Sequence, residues 1–170
     1  MGHDIRAFDV HVPVFAYIEK PGGGIETPKP IIYGTAFPVA PGIFATAGQV
    51  IKAAAADGKP GLTYVNPGAE IPLHQIKTYE LVEAIDLALV ESPSLRKLAP
   101  IPLDFDRRLD FLANASALGF PMALDAEFVT CIPRAFGGHV VTRRELYQLP
   151  AQPPGYELSF PAPEGLSGAV

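Results

Sequence analysis

Three side chains of this sequence are candidates for nucleophilic chemistry: Ser167, Asp86 and Gln49. A serine hydroxyl is a weak nucleophile unless a neighbouring group takes its proton. Ser167 lies in the run Glu-Gly-Leu-Ser-Gly at positions 164–168, and its flanking glycines allow the backbone to turn tightly. Taken alone, this run is more typical of an ordinary surface turn than of a nucleophile.

Asp86 interrupts a run of apolar residues, Ile-Asp-Leu-Ala-Leu-Val, at positions 85–90. The run predicts a strand, and we expect the carboxylate to be buried within it. Burial of a carboxylate is costly unless the group is hydrogen-bonded, so this position should have polar partners. The alternative is an aspartate at the end of a strand that caps a turn.

Gln49 lies in the segment Thr-Ala-Gly-Gln-Val at positions 46–50, where a predicted strand meets a predicted helix. Its amide can donate and accept hydrogen bonds, but it cannot take up a proton near neutral pH. Gln49 therefore cannot act as a general base for Ser167.

Five segments follow one another in a recognisable order: residues 34–37 (Gly-Thr-Ala-Phe), 46–50, 85–89, 117–121 (Ala-Leu-Gly-Phe-Pro) and 165–168 (Gly-Leu-Ser-Gly). Together they resemble the trypsin-like (chymotrypsin-fold) serine peptidases. In that family a catalytic histidine stands at the position of Gln49. The resemblance implies that Gln49, Asp86 and Ser167 occupy the three catalytic positions, and that the amides of Gly165 and Ser167 form an oxyanion hole.

The glutamine at the position of the base implies a catalytically impaired homologue, a pseudoprotease. In a well-studied protease, loss of the serine or the histidine lowers turnover on the order of a million-fold. Two alternatives stay open: an active serine endopeptidase with a non-standard base, and a β-barrel module for peptide binding or interaction. In each case the expected partner is a polypeptide substrate or a peptide ligand.

The remaining histidines and the single cysteine do not predict a metal or cofactor site. His74 and His139 lie in predicted strands, away from the junction where the base belongs, and Cys131 is expected to be a small buried apolar residue. Four scattered histidines and one cysteine show no spacing typical of metal ligands. We therefore expect no metal and no cofactor.

The 19 prolines and 16 glycines cut the chain into short segments, which predicts an all-β fold with one short helix over residues 48–56. The resemblance implies two six-stranded antiparallel β-barrels: residues 1–108 form the first barrel and a linker, and residues 109–170 form a partial second barrel. The second half has only about four predicted strands. We expect that the chain is cut short; the alternatives are that a second chain supplies the missing strands, or that this half is loosely ordered.

Composition limits the remaining function classes. The chain has 170 residues, a net charge of −5 and one cysteine. An acidic chain with scattered basic residues predicts no binding to nucleic acid or to a membrane surface. The absence of possible internal disulfides fits a reducing compartment. With no apolar run long enough to span a bilayer and no signal-peptide pattern at the start, we expect a cytoplasmic protein.

Overall fold

The computed structural model describes residues 11–26, 31–63, 73–104, 108–121, 133–143, 155–163 and 166–169. One α-helix and eleven strands lie within these ranges. They are, in chain order, β1 (Val12–Glu19), β2 (Ile25–Glu26), β3 (Gly34–Ala40), β4 (Ile43–Ala47), α1 (Gly48–Asp57), β5 (Lys59–Thr63), β6 (Leu73–Gln75), β7 (Thr78–Val82), β8 (Leu87–Glu91), β9 (Asn114–Gly119), β10 (Arg134–Arg143) and β11 (Tyr156–Leu158).

The first eight strands form one antiparallel sheet in the order β6-β5-β1-β3-β4-β8-β7, with β2 paired to β1 as a hairpin. The end strands, β6 and β7, are joined in the chain by residues 76–77 alone, so the sheet curls until its two edges approach. A hydrogen bond joins the end of β8 to β6 across this seam: Ser92 Oγ donates to the carbonyl of Gln75 (3.0 Å). The N–H of Lys77, in the connection, donates to the carbonyl of Glu91 on β8 (2.8 Å) and extends the pairing of β7 with β8. Strand pairing does not close into a barrel within the described residues.

The core of this sheet is formed by side chains that alternate along its strands and by one face of the helix. On β1, Val12, Val14 and Ala16 are fully buried. They pack in one cluster with Val50 and Ile51 of α1. A strand places every second side chain on the same face, and a helix every third or fourth, so these two periods meet in one apolar layer.

The last three strands form a separate antiparallel sheet in the order β11-β10-β9. Its link to the first sheet is Phe120, which directly follows β9 and packs with Ile32 and Phe15. The N–H of Phe120 also donates to the hydroxyl of Thr35 on β3 (2.9 Å). The connection between the sheets is therefore both apolar and hydrogen-bonded.

The all-β prediction is confirmed in outline: the described chain is mostly antiparallel strands with one helix. The helix predicted over residues 48–56 is found as α1, and the strand predicted over residues 43–47 is β4. The two six-stranded barrels and the boundary after residue 108 stay predictions; the described strands group as eight and three.

Two strand predictions differ from the structure, and a third falls mostly outside the described residues. The sequence of residues 71–79 predicts a single strand, but the structure has two, β6 and β7, because the chain turns back at residues 76–77. The strand expected over residues 85–91 begins at Leu87, since residues 83–85 form a 3-10 helix. The sequence of residues 126–134 also predicts a strand, and this segment lies almost entirely outside the described residues. In the described part of the chain, no helix has the length and apolar character needed to cross a bilayer.

Candidate functional site

Ser167 lies in a tight turn that is fastened to the first sheet. The N–H of Leu166 donates to the carbonyl of Pro163 (3.0 Å), and the N–H of Ala169 donates to the carbonyl of Leu166 (2.9 Å). The N–H of Thr35 donates to the carbonyl of Ser167 (2.9 Å). The buried side chain of Leu166 anchors the turn, so Ser167 is held at the edge of β3 and remains half-exposed.

Two glycines make this close approach possible. Gly168 has a φ of +79°, a conformation that glycine adopts without strain, and a Cβ there would overlap the carbonyl oxygen of Thr35. A Cβ at Gly34 would lie 2.7 Å from the carbonyl oxygen of Ser167. The glycines are therefore required for the serine turn to lie against β3.

Gln49 is in the first turn of α1, directly after the end of β4, and its side chain is exposed. Its Nε2 donates a hydrogen bond to Ser167 Oγ over 3.2 Å. The predicted contact between positions 49 and 167 is thus present in the folded chain. Because the amide nitrogen is a donor only, the pair has no acceptor for the serine proton at this atom.

Asp86 holds the start of the same helix. Its carboxylate Oδ1 accepts a hydrogen bond from the backbone N–H of Gln49 (2.9 Å), and its carbonyl accepts one from Gly48 (2.8 Å). The residue before the helix, Ala47, has no side chain that can cap it. Asp86 therefore satisfies two of the free N–H groups at the helix start from a distant part of the chain, where a negative charge is also favoured.

The expectation that Asp86 is buried within a strand is wrong. It follows the 3-10 helix at residues 83–85, adopts a left-handed conformation (φ 51°) and is exposed. This conformation is one that aspartate and asparagine tolerate better than other residues with a Cβ. The alternative, an aspartate at the end of a strand that caps a turn, is closer in its capping role, although Asp86 comes directly before β8 and caps the start of α1.

The three predicted positions therefore meet at one place, although they are far apart in the chain. Gln49 is the central residue: its backbone binds Asp86 and its side chain binds Ser167. The arrangement can hold a serine hydroxyl by hydrogen bonding, but an amide at its centre cannot move a proton. Gly165, the other residue expected at the oxyanion hole, lies outside the described residues.

The histidines set aside by the sequence analysis each contact a serine other than Ser167. His74 Nδ1 lies 3.0 Å from Ser94 Oγ, and His139 Nδ1 lies 3.3 Å from Ser159 Oγ. Burial lowers the pKa of His74 below its ordinary value of 6.5. Cys131 lies outside the described residues, and within those that are described no three His, Cys, Asp or Glu side chains group as metal ligands would.

Thr35 joins three segments at the site, a role that the sequence does not predict. Its hydroxyl accepts from Phe120, its N–H binds Ser167, and its carbonyl accepts from Thr46 Oγ1 (2.7 Å). The signal for this role is a polar residue between Gly34 and Ala36, in a strand whose other residues are apolar. A polar residue buried in such a strand is expected to form hydrogen bonds.

No family model matches this chain, and no curated protein matches it.

Proposed function

We propose that this chain is a homologue of the trypsin-like serine peptidases whose site is disarmed at Gln49, and that it binds a peptide rather than hydrolysing one. The observation that carries the proposal is the meeting of Gln49 with both Ser167 and Asp86. Positions 49, 86 and 167 follow the family's order of base, aspartate and serine, and they lie together in the fold although they are far apart in the chain. The glutamine keeps the contact with the serine and removes the proton acceptor.

The fold features that support the proposal are the curled first sheet and the second sheet beside it. The two end strands of the first sheet are joined by a two-residue connection, as would be needed for a barrel with one open seam. The second sheet would be part of a second barrel. Among the described strands of the second sheet, β9 and β11 lie at the edges. An extended peptide can pair with an edge strand of a sheet.

The test is covalent labelling with a fluorophosphonate, followed by peptide mapping to assign the modified serine. The chain as it stands should show no label at Ser167. Gln49→His should gain labelling of Ser167, because the imidazole supplies the missing proton acceptor. The double variant Gln49→His with Ser167→Ala should lose it again, and Gln49→Asn controls for disturbance of the helix start.

Two results would contradict the proposal in different ways. Labelling of Ser167 in the unmodified chain would mean that another base activates it, which is the active endopeptidase alternative. An unlabelled Ser167 in a folded Gln49→His variant would mean that the three positions do not form a disarmed peptidase site.

A further inference from the structure

A second serine lies beside a group that can take its proton. Ser94 is exposed in the short 3-10 helix Pro93–Leu95, and its Oγ lies 3.0 Å from Nδ1 of His74 on β6. The two residues are 20 positions apart in the chain and meet at the seam between the edges of the first sheet. This contact has the pairing of hydroxyl and imidazole that nucleophilic catalysis uses.

The protonation state of His74 suits it to act as a base. Burial disfavours the charged form of the half-buried ring, so its pKa is lowered and the ring is neutral at pH 7. A neutral imidazole with its hydrogen on Nε2 leaves Nδ1 to accept the Ser94 proton. Gln49, beside Ser167, has no equivalent capacity.

The geometry of the pair is fixed by Ser92. This residue is fully buried, and its Oγ donates to the carbonyl of Gln75, the neighbour of His74 on β6 (3.0 Å). The start of the 3-10 helix is thereby fastened to β6 next to the imidazole. Ser92 is a positioning residue, because it holds Ser94 near His74 and donates its own hydroxyl proton elsewhere.

The pair opens into a groove with room for a small substrate. A cavity of about 450 Å³ is lined by Leu73, His74, Gln75, Lys77, Pro93 and Ser94. The ammonium group of Lys77 is 3.5 Å from a carboxylate oxygen of Glu91, so an ion pair lies at this wall. The groove therefore presents both apolar and polar side chains to a bound molecule.

We propose that Ser94 and His74 form a second nucleophilic site, which accepts the acyl group of a small carboxylic ester. Ser94 Oγ adds to the carbonyl carbon while its proton passes to His74 Nδ1. The bond from that carbon to the alcohol oxygen then breaks, and the alcohol leaves with the proton from His74. The products are Ser94 acylated on Oγ and the free alcohol.

The second histidine–serine contact gives a matched control. Ser159 Oγ already accepts the backbone N–H of His139 (2.9 Å), and its distance to the ring nitrogen is longer, 3.3 Å. In this contact the serine is occupied in joining two strand segments. His139→Gln and Ser159→Ala therefore change a histidine–serine contact without changing the proposed site.

The experiment treats the whole chain with p-nitrophenyl acetate and assigns acetylation by peptide mapping. The chain has five serines, so each can be followed, and Ser116, exposed on β9, is the reference for unassisted reactivity. We expect Ser94 to react at least about 100-fold faster than Ser116, since general-base assistance is typically worth that much. Ser94→Ala removes the acetyl group, His74→Gln slows its formation by about the same factor, and the control variants change nothing.

Acetylation of Ser94 no faster than that of Ser116 in the unmodified chain would overturn the proposal, and this result needs no variant to fold. An unchanged Ser94 rate in a folded His74→Gln variant would also overturn it. The outcome is independent of the proposed peptidase homology, because that proposal is read at Ser167 and this one at Ser94.

Discussion

The backbone N–H of Thr35 donates a 2.9 Å hydrogen bond to the carbonyl of Ser167, so the turn that carries the candidate serine is fastened to a central strand of the first sheet. The same threonine accepts the N–H of Phe120 through its hydroxyl. Thr35, which is buried, thus holds the serine turn on the first sheet. Through Phe120, which directly follows β9, it also joins the first sheet to the second.

Removal of the Thr35 hydroxyl should destabilise the contact between the sheets. In Thr35→Val the N–H of Phe120, a residue only 2% exposed, loses its acceptor. A buried donor left without a partner costs about 1–3 kcal/mol, and we expect the free energy of unfolding to fall by that amount in urea titrations. Thr35→Ser keeps the hydroxyl and should lose less. Equal stability of the valine and native proteins would show that this hydrogen bond contributes nothing.

A side chain at Gly168 should displace the serine turn. Gly168→Ala meets two costs: a left-handed backbone, about 1–2 kcal/mol for a residue with a Cβ, and overlap with the carbonyl of Thr35. Gly22→Ala is the matched control, since Gly22 also has a positive φ (104°) but no atom lies within 4 Å of its Cβ position. Thermal unfolding should show a clearly larger loss at Gly168. Equal losses of stability in the two variants would mean that the serine turn can shift to accept a side chain and does not depend on close packing.

Local sequence patterns predicted the elements around the site better than the contacts within it. The helix followed from its alanine run and the Asp-Gly stop at residues 57–58, and its start beside β4 placed Gln49 correctly. The sequence does not predict the conformation of Asp86, because a three-residue 3-10 turn leaves no periodic signal and the apolar run after it extends the predicted strand back to residue 85. The contact between His74 and Ser94 depends on how the sheet curls to bring its edges together, and local pattern contains no information on this.

The carboxylate of Asp86 should contribute to the stability of the folded chain. Asp86→Ala removes the acceptor for the Gln49 N–H and puts alanine in a left-handed conformation, so we expect a loss of about 1–2 kcal/mol. Asp86→Asn keeps an oxygen acceptor and tolerates the same backbone, so its loss should be smaller. The exposed carboxylate at Glu80 on β7 provides the control Glu80→Ala.

The dependence of stability on ionic strength distinguishes the contribution of the Asp86 charge from that of its hydrogen bond. The attraction between a carboxylate and a helix start is screened by salt, and the backbone conformation is not. The difference between the native protein and Asp86→Asn should therefore shrink between low and high ionic strength, while the cost of Asp86→Ala persists in part. A difference that does not respond to salt would assign the whole effect to hydrogen-bond geometry.

Tyr33 should make stability depend on pH in the alkaline range. Its hydroxyl donates to Asp57 Oδ2 at the end of α1 (2.5 Å), and burial together with this hydrogen bond raises the pKa of Tyr33 to about 12. In the unfolded chain the phenol has its ordinary pKa of 10.0. Between these values the unfolded chain loses the proton and the folded chain keeps it. The stabilisation is complete below pH 10 and is lost as the pH rises towards 12.

The variants Tyr33→Phe and Asp57→Asn separate the two sources of this effect. Tyr33→Phe removes the titrating group, so the fall in stability between pH 10 and 12 should become shallower. Asp57→Asn removes the neighbouring charge and should bring the pKa of Tyr33 back towards 10, because the phenolate no longer forms beside a carboxylate. The near-ultraviolet absorbance of phenolate, followed in the native protein, Tyr33→Phe and Asp57→Asn, measures this directly. An unchanged midpoint in Asp57→Asn would mean that burial alone raises the pKa.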